Sequence, residues 1–178
     1  MNEINLVDLP EQSDIKSGGF FTFEHYRDGV LIDKWDTKNI VVDQGINYIL
    51  DSALSGGTPI TSYFLGIFKN NYTPVAADTA ALFPGAGVAN EATTEYDEAT
   101  RPAWVEAGVS AKVITNSASP AVFTANTSVT IYGAFLVSVS TKGGTTGTLI
   151  AASKFTSSRA LIDNDILNVT YTITGSST

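Results

Sequence analysis

The run Val129–Phe155 limits this chain more than any other stretch. Val129, Ile131, Gly133, Phe135, Val137 and Val139 alternate with Thr130, Tyr132, Ala134, Leu136, Ser138 and Ser140. A two-residue period is what a β-strand with two unlike faces requires. Thr141-Lys142-Gly143-Gly144-Thr145-Thr146-Gly147 follows, a turn run rich in glycine, and then a second extended run, Thr148 to Phe155. The pattern predicts a long hairpin of small, β-branched and aromatic residues, with almost no side chain suited to chemistry. It points to a chain that works through a surface.

The rest of the sequence extends the same pattern. Phe20–Tyr26 and Val30–Ile40 read as strands on either side of Arg27-Asp28-Gly29, a strong hairpin signal. A two-residue loop at Asp28-Gly29 would set Glu24 opposite Asp33, and like charges directly opposed are unfavourable. A four-residue loop sets Phe23 against Ile32 and Phe21 against Lys34, and is the register expected. Tyr63–Lys69 reads as a short apolar strand. Thr93–Tyr96, Ala103–Val109, Lys112–Thr115 and Val122–Ala125 are weaker strand candidates, and Ala76–Leu82 reads as a helical turn. In Ile166–Thr174, Leu167, Val169, Tyr171 and Ile173 share one face. Many short strands separated by turn signals predict an all-β domain, a β-sandwich or jelly roll.

One helix is expected, Asp43–Ser55. Asp43 is placed to cap it. Ile46, Ile49, Leu50, Ala53 and Leu54 follow the i, i+3, i+4, i+7, i+8 spacing of a single face, predicted to pack on a sheet edge or across a barrel mouth, and Gly56-Gly57 ends it. Residues 1–18 read as an extended N-terminal arm, set off by Ser17-Gly18-Gly19, with residues 19–178 as a single sandwich domain. Ile4, Leu6, Val7 and Leu9 make the arm more apolar than a solvated tail, so they are candidate residues for contact with a neighbouring subunit.

The 178 residues suffice to bury a core without covalent staples. There are no cysteines, which excludes disulfides, zinc–thiolate sites and thiol catalysis. No apolar run reaches the ~20 residues of a membrane helix, and Met1-Asn2-Glu3-Ile4 lacks the basic and apolar regions of a secretion signal. The net charge of −8, with scattered basic residues, disfavours nucleic acid. No fixed-period repeat is present.

The patterns that could carry chemistry are weak. His25 is the only histidine and has no ligand-type partner in sequence. No G-x-S-x-G elbow occurs, and Lys142-Gly143-Gly144 and Gly85-Ala86-Gly87 lack the order of a phosphate loop. Glu91, Glu95, Asp97, Glu98 and Glu106 cluster, and a carboxylate pair could hydrolyse glycosides. Arg101, three and four residues after Glu98 and Asp97, is expected to clamp them instead. Asp163-Asn164-Asp165 reads as a turn rather than a calcium loop. The Asn-x-Ser/Thr triplets at Asn71, Asn126 and Asn168 carry no weight outside a eukaryotic secretory route. Trp35, Trp104 and the tyrosines could stack on a sugar, although aromatics in strands more often form core. No catalytic residue, metal site or cofactor is expected.

Several segments in series carry a resemblance. They are Val41-Val42-Asp43-Gln44-Gly45-Ile46-Asn47-Tyr48-Ile49-Leu50, Tyr63–Lys69 leading into Pro74-Val75-Ala76-Ala77-Asp78-Thr79-Ala80, Tyr96-Asp97-Glu98-Ala99-Thr100-Arg101-Pro102-Ala103-Trp104, and Gly133-Ala134-Phe135 through Thr141–Leu149. From about Phe20 onward the chain resembles small structural proteins of tailed bacteriophages, most like capsid decoration, or cement, proteins. The resemblance implies a virion protein on the outer surface of the head, made in the bacterial host cytoplasm. Its implied partners are the major capsid protein and neighbouring copies of itself, so that it is oligomeric on the particle and needs neither nucleic acid nor membrane. It implies no catalytic residues. Alternatives are a tail, baseplate or fibre component, or a carbohydrate-binding adhesin module.

Overall fold

The computed structural model describes residues 15–177. They form ten strands and one helix: β1 (Ile15–Arg27), β2 (Val30–Lys38), β3 (Ile40–Val41), α1 (Asp43–Leu54), β4 (Tyr63–Phe68), β5 (Ala103–Trp104), β6 (Val113–Thr115), β7 (Ala121–Thr124), β8 (Val129–Val137), β9 (Leu149–Leu161) and β10 (Ile166–Ser177). All pairings are antiparallel. One sheet has the order β2-β1-β10-β6, with β7 also on β10, and the other β3-β9-β8-β4-β5. The two stack as the expected β-sandwich. Ile4, Leu6, Val7 and Leu9 lie outside the described residues. Ser17-Gly18-Gly19 is no breaker: residues 15–18, expected as arm, are strand, pairing from Ile15↔Ser177 to Gly18↔Thr174.

The main core lies between the sheets. Phe21, Phe23, Leu167, Val169 and Tyr171 of one meet Leu65, Ile67, Ile131, Leu136 and Phe155 of the other. Phe21 stacks on Tyr171 at 4.2 Å between ring centroids, and Phe155 meets Phe23 edge-on at 4.7 Å. A second core lies on the far face of the β8–β9 sheet. There Phe68, Phe135, Val137, Leu149 and Ala152 are covered by the connection after β4, through Ala80, Phe83 and Ala89. That connection is a series of turns, and the helical turn expected at Ala76–Leu82 is present there as a single one, closed by Phe83 N–H to Thr79 O at 2.9 Å and not continued into a helix.

β8 therefore has no solvent face over its second half, and strict alternation fails within it. Ile131, Ala134 and Leu136 enter the main core, while Phe135 and Val137 enter the second. Ile131 and Ala134 are three apart because the register with β9 shifts between Ile131 and Gly133. A bulge changes side-chain parity, so one strand serves both cores.

The β1–β2 hairpin settles its loop differently from the sequence expectation. Arg27↔Val30 closes the two-residue loop that the opposition of Glu24 and Asp33 argued against. Asp28 and Gly29 both have positive φ, 50° and 77°, as a type I′ turn demands. The conflict is removed by a register shift between His25 and Tyr26, which leaves Ile32 extra. Glu24 then faces Lys34 and accepts a hydrogen bond from it at 2.8 Å.

The helix forms where expected, but two of its features are corrected. Its N-cap is Val42, with no side-chain cap, and Asp43 lies in the first turn, where its charge still favours the helix dipole. Its apolar face does not pack on the sheet: Ile46, Ile49, Leu50 and Leu54 are 43%, 38%, 51% and 82% exposed. The helix docks through Gly45 and Tyr48 instead. Val42 N–H donates to Ile150 O at 3.2 Å, Asp43 N–H to Ala76 O at 2.8 Å, and Gln44 Oε1 accepts from Ala80 and Leu149 N–H at 2.9 Å each. These bonds fix the rotation of the first turn. They bring Gly45 so close to β9 that a Cβ there would lie 2.4 Å from Ile150 O.

Gly45→Ala sets two effects against each other. Alanine would favour the helix by about 1 kcal/mol, but backbone on the far side of the contact cannot yield cheaply, and overpacking typically costs ~1–3 kcal/mol. The clash is expected to win, lowering the urea midpoint of unfolding; an unchanged or raised midpoint would show that the close approach does not hold α1.

Candidate functional site

Two polar clusters gather several of the residues that the sequence singles out, Glu91, Arg101 and Lys142 in one and His25 and Asp165 in the other. The first lies between the β4–β5 connection and the β8–β9 loop. Arg101 and Glu91 are both buried, and the guanidinium grips the carboxylate at 2.7 Å through each of Nε and Nη2. Arg101 also donates to Val139 O (2.8 Å) and Gly144 O (3.2 Å), while Glu91 Oε2 accepts Gly143 N–H at 2.8 Å. Lys142 donates to Tyr96 O at 2.9 Å with its ammonium 3.6 Å above the Tyr96 ring, and burial lowers its pKa.

The predicted clamp of Glu98 and Asp97 by Arg101 is thus corrected. The partner is Glu91, ten residues back, and Glu98 instead accepts the Thr124 N–H at 3.1 and 3.2 Å. Side chains three and four residues apart meet on a helix, whereas residues 93–101 run through bends with only an isolated bridge, Tyr96↔Ala125. Glu95 pairs with Lys69. Burial pushes its carboxyl up, but Lys69 and the N–H groups of Thr94 and Thr93 outweigh that and leave it below its ordinary value. A glycosidase acid needs the opposite shift.

The second cluster sits at the β9–β10 turn. Asp165 is fully buried. It accepts from His25 Nε2 at 2.8 Å, from Arg27 at 2.8 and 2.7 Å, and from Ile162 N–H at 2.8 Å. His25 reaches it because Phe21, Phe23 and His25 share the inward face of β1. The Arg27 guanidinium, with the Ile162 N–H and His25 adding to it, holds the Asp165 carboxyl well below the usual range against the opposing effect of burial. The arrangement has the look of half a catalytic triad, yet each oxygen of Asp165 is spent on groups that hold the turn together. Asp165 as a turn residue was legible in sequence; its bond to His25, 140 residues away, was not.

The two tryptophans face inward. Trp104 is 7% exposed and donates from Nε1 to Tyr171 O at 3.0 Å; it edges a cleft of about 520 Å³ lined also by Tyr63 and Glu106. Trp35 stacks on Phe23 at 5.1 Å, with Arg159 4.5 Å above its ring. Neither leaves an open ring face for a sugar. A second cleft, of about 660 Å³, opens where β1 outruns β2, lined by Gly18, Phe20, Asp36 and Asn39 among others. Among the described residues no group of three or more His, Asp or Glu is placed to hold a metal ion. No helix among them is long and apolar enough to cross a membrane. No protein-family model matches the chain, and no curated protein matches it.

Both clusters predict stability effects. Glu91→Gln leaves the Arg101 charge buried and half-partnered, so a loss of about 3–5 kcal/mol is expected in denaturant unfolding; a loss below ~1 kcal/mol would mean the pair does not anchor the loop. For Asp165 the folded-state pKa is depressed. Its contribution is therefore present above the ordinary carboxylate range and is lost as pH falls through that range and below it. Thermal midpoints should drop from about pH 5 downward, and Asp165→Asn should flatten that slope; an identical slope in both proteins would remove Asp165 as its source.

Proposed function

We propose that this chain is a structural protein of a tailed-phage virion, a decoration protein that binds the outer head surface and bridges neighbouring capsid subunits. The observation that carries the reading is how the side chains are allotted. The polar groups that could have formed a reaction centre are used to anchor loops, while apolar side chains are left outward on α1 and at Val30, Leu31 and Ile32 of the hairpin tip. Exposed apolar surface on a packed domain suits association more than turnover. The serial resemblance to phage structural proteins supplies the setting. A cement protein acts by mass action, binding the assembled lattice and not its parts, and so stabilises that state. The acidity suits a protein held at high local density on a shell. The partners are then the major capsid protein and adjacent copies of this chain, with Ile4, Leu6, Val7 and Leu9 reaching a neighbour.

The test is copy number in purified particles carrying the protein. Hundreds of copies per particle are expected for a head protein; a few or a few tens would move it to the tail or baseplate, and absence from particles would end the reading. Removal of Met1–Asp14, which stops short of β1, is expected to weaken capsid binding at least tenfold in a sedimentation assay. Undiminished binding would strip the N-terminal residues of that role.

A further inference from the structure

α1 meets the start of β4 through two tyrosines. The chain has seven, and among the described residues Tyr48 and Tyr63 are the one tyrosine pair in ring contact. Tyr63 Oη donates to Tyr48 Oη at 3.0 Å, with ring centroids 6.4 Å apart and planes inclined at 67°. Ile60 N–H donates to the same Tyr48 oxygen at 2.7 Å. Both side chains are half-buried, and Tyr63 lines the cleft of about 520 Å³, which opens it to small solutes.

The two phenols are not equivalent. Burial pushes Tyr48 up, but the Tyr63 hydroxyl, the Ile60 N–H and Ser52 outweigh it and leave Tyr48 below its ordinary value. Burial, and the bond it donates to Tyr48, push Tyr63 up. Tyr48 is therefore the easier to deprotonate, and a phenolate gives up an electron more readily than a phenol. A hydrogen atom passing from Tyr63 to the Tyr48 radical along their bond restores Tyr48 for a second oxidation. The geometry also suits the coupled product. When two phenols are joined at the ring carbons beside their oxygens, the hydroxyls become neighbours and the rings are twisted. Here the hydroxyls are already bonded and the planes already inclined. Residues 55–62, which link α1 to β4 outside any helix or strand and include Gly56-Gly57, can yield as the rings close.

We propose that Tyr48 and Tyr63 are a site of oxidative cross-linking, joined carbon to carbon as a dityrosine within one chain by a peroxide. Each phenol loses its hydroxyl proton and one electron. The radicals couple at ring carbons beside the oxygens, and the hydrogens on those carbons shift to the oxygens as the rings regain aromaticity. The O–O bond of the peroxide breaks and takes up both electrons and both protons. The chain has no cysteine, so no thiol competes for the oxidant. The new bond closes a loop between residues 15 apart and anchors α1 beyond its first turn. The inference does not depend on the virion reading.

The test is photo-oxidation of the full chain at micromolar concentration with peroxydisulfate and a ruthenium tris-bipyridyl sensitiser. A monomeric product with dityrosine fluorescence is expected, with a peptide map that joins the segments holding Tyr48 and Tyr63. Tyr48→Phe and Tyr63→Phe should each lower the yield roughly tenfold or more, since a preformed pair outcompetes chance encounters; Tyr26→Phe should leave it unchanged. The purified linked chain should unfold at a higher urea concentration than the unlinked one, because the closed loop restricts the unfolded chain. Linkage of other tyrosines, linkage only between chains, or no linkage would overturn the proposal, and the map of the unsubstituted chain decides this without relying on the folding of any variant. An unchanged urea midpoint would overturn the bond's role as an anchor of α1.

Discussion

The burial of β8 on both faces is the constraint on which the rest of the fold depends. A strand in a two-layer sandwich needs one apolar face, and its other face can remain polar. β8 has to serve the inter-sheet core with Ile131, Ala134 and Leu136 and a second core with Phe135 and Val137. The connection after β4 is therefore not free to be a surface loop. Phe83 crosses Phe68 and Phe135 edge-on at 5.6 and 5.2 Å, which draws that connection over the sheet as a third layer. The same layer supplies Ala76 O and Ala80 N–H, which fix the first turn of α1. The position of the helix thus follows from what covers β8.

The sequence was most legible where period and burial agree. In β10, Leu167, Val169 and Tyr171 alternate and are all buried. In the Asp-Gly hairpin the turn chemistry was explicit. It was misleading where a local rule met a non-local contact. The opposition of Glu24 and Asp33 argued against the short loop, but a single extra residue, Ile32, separates the two charges at less disruption than a different turn. The partner of Arg101 lies ten residues away across bends, beyond any helical spacing. The helix is the sharpest case. Its period was read correctly, but which side faces inward was decided by the one residue without a side chain.

The charged residues show the same division between inside and outside. Arg101 and Glu91 lie beneath the β8–β9 loop, and Asp165 with His25 and Arg27 beneath the β9–β10 turn. Each set satisfies backbone groups that a buried turn would otherwise leave unpaired. Arg27, Lys34, Lys69, Arg101 and Arg159 are all engaged with carboxylates. With so much of the positive charge neutralised locally, the net −8 is expressed by the remaining acidic groups. A field of that sign repels like copies of the chain at long range, so contact between copies would have to come from apolar surface.

That consequence bears on α1. Four backbone and side-chain hydrogen bonds at its first turn, together with the Gly45 contact, hold the helix without help from Ile46, Ile49, Leu50 or Leu54. Their half-exposed side chains add little to the domain's own core, since a full burial worth ~1.5–3 kcal/mol each is not realised there. Polar residues at those four positions would leave the described packing intact. A face that is dispensable to the fold and still apolar gains its stabilisation from whatever comes to rest on it, and the helix is rigid enough, through its anchored first turn, to hold that face in one orientation.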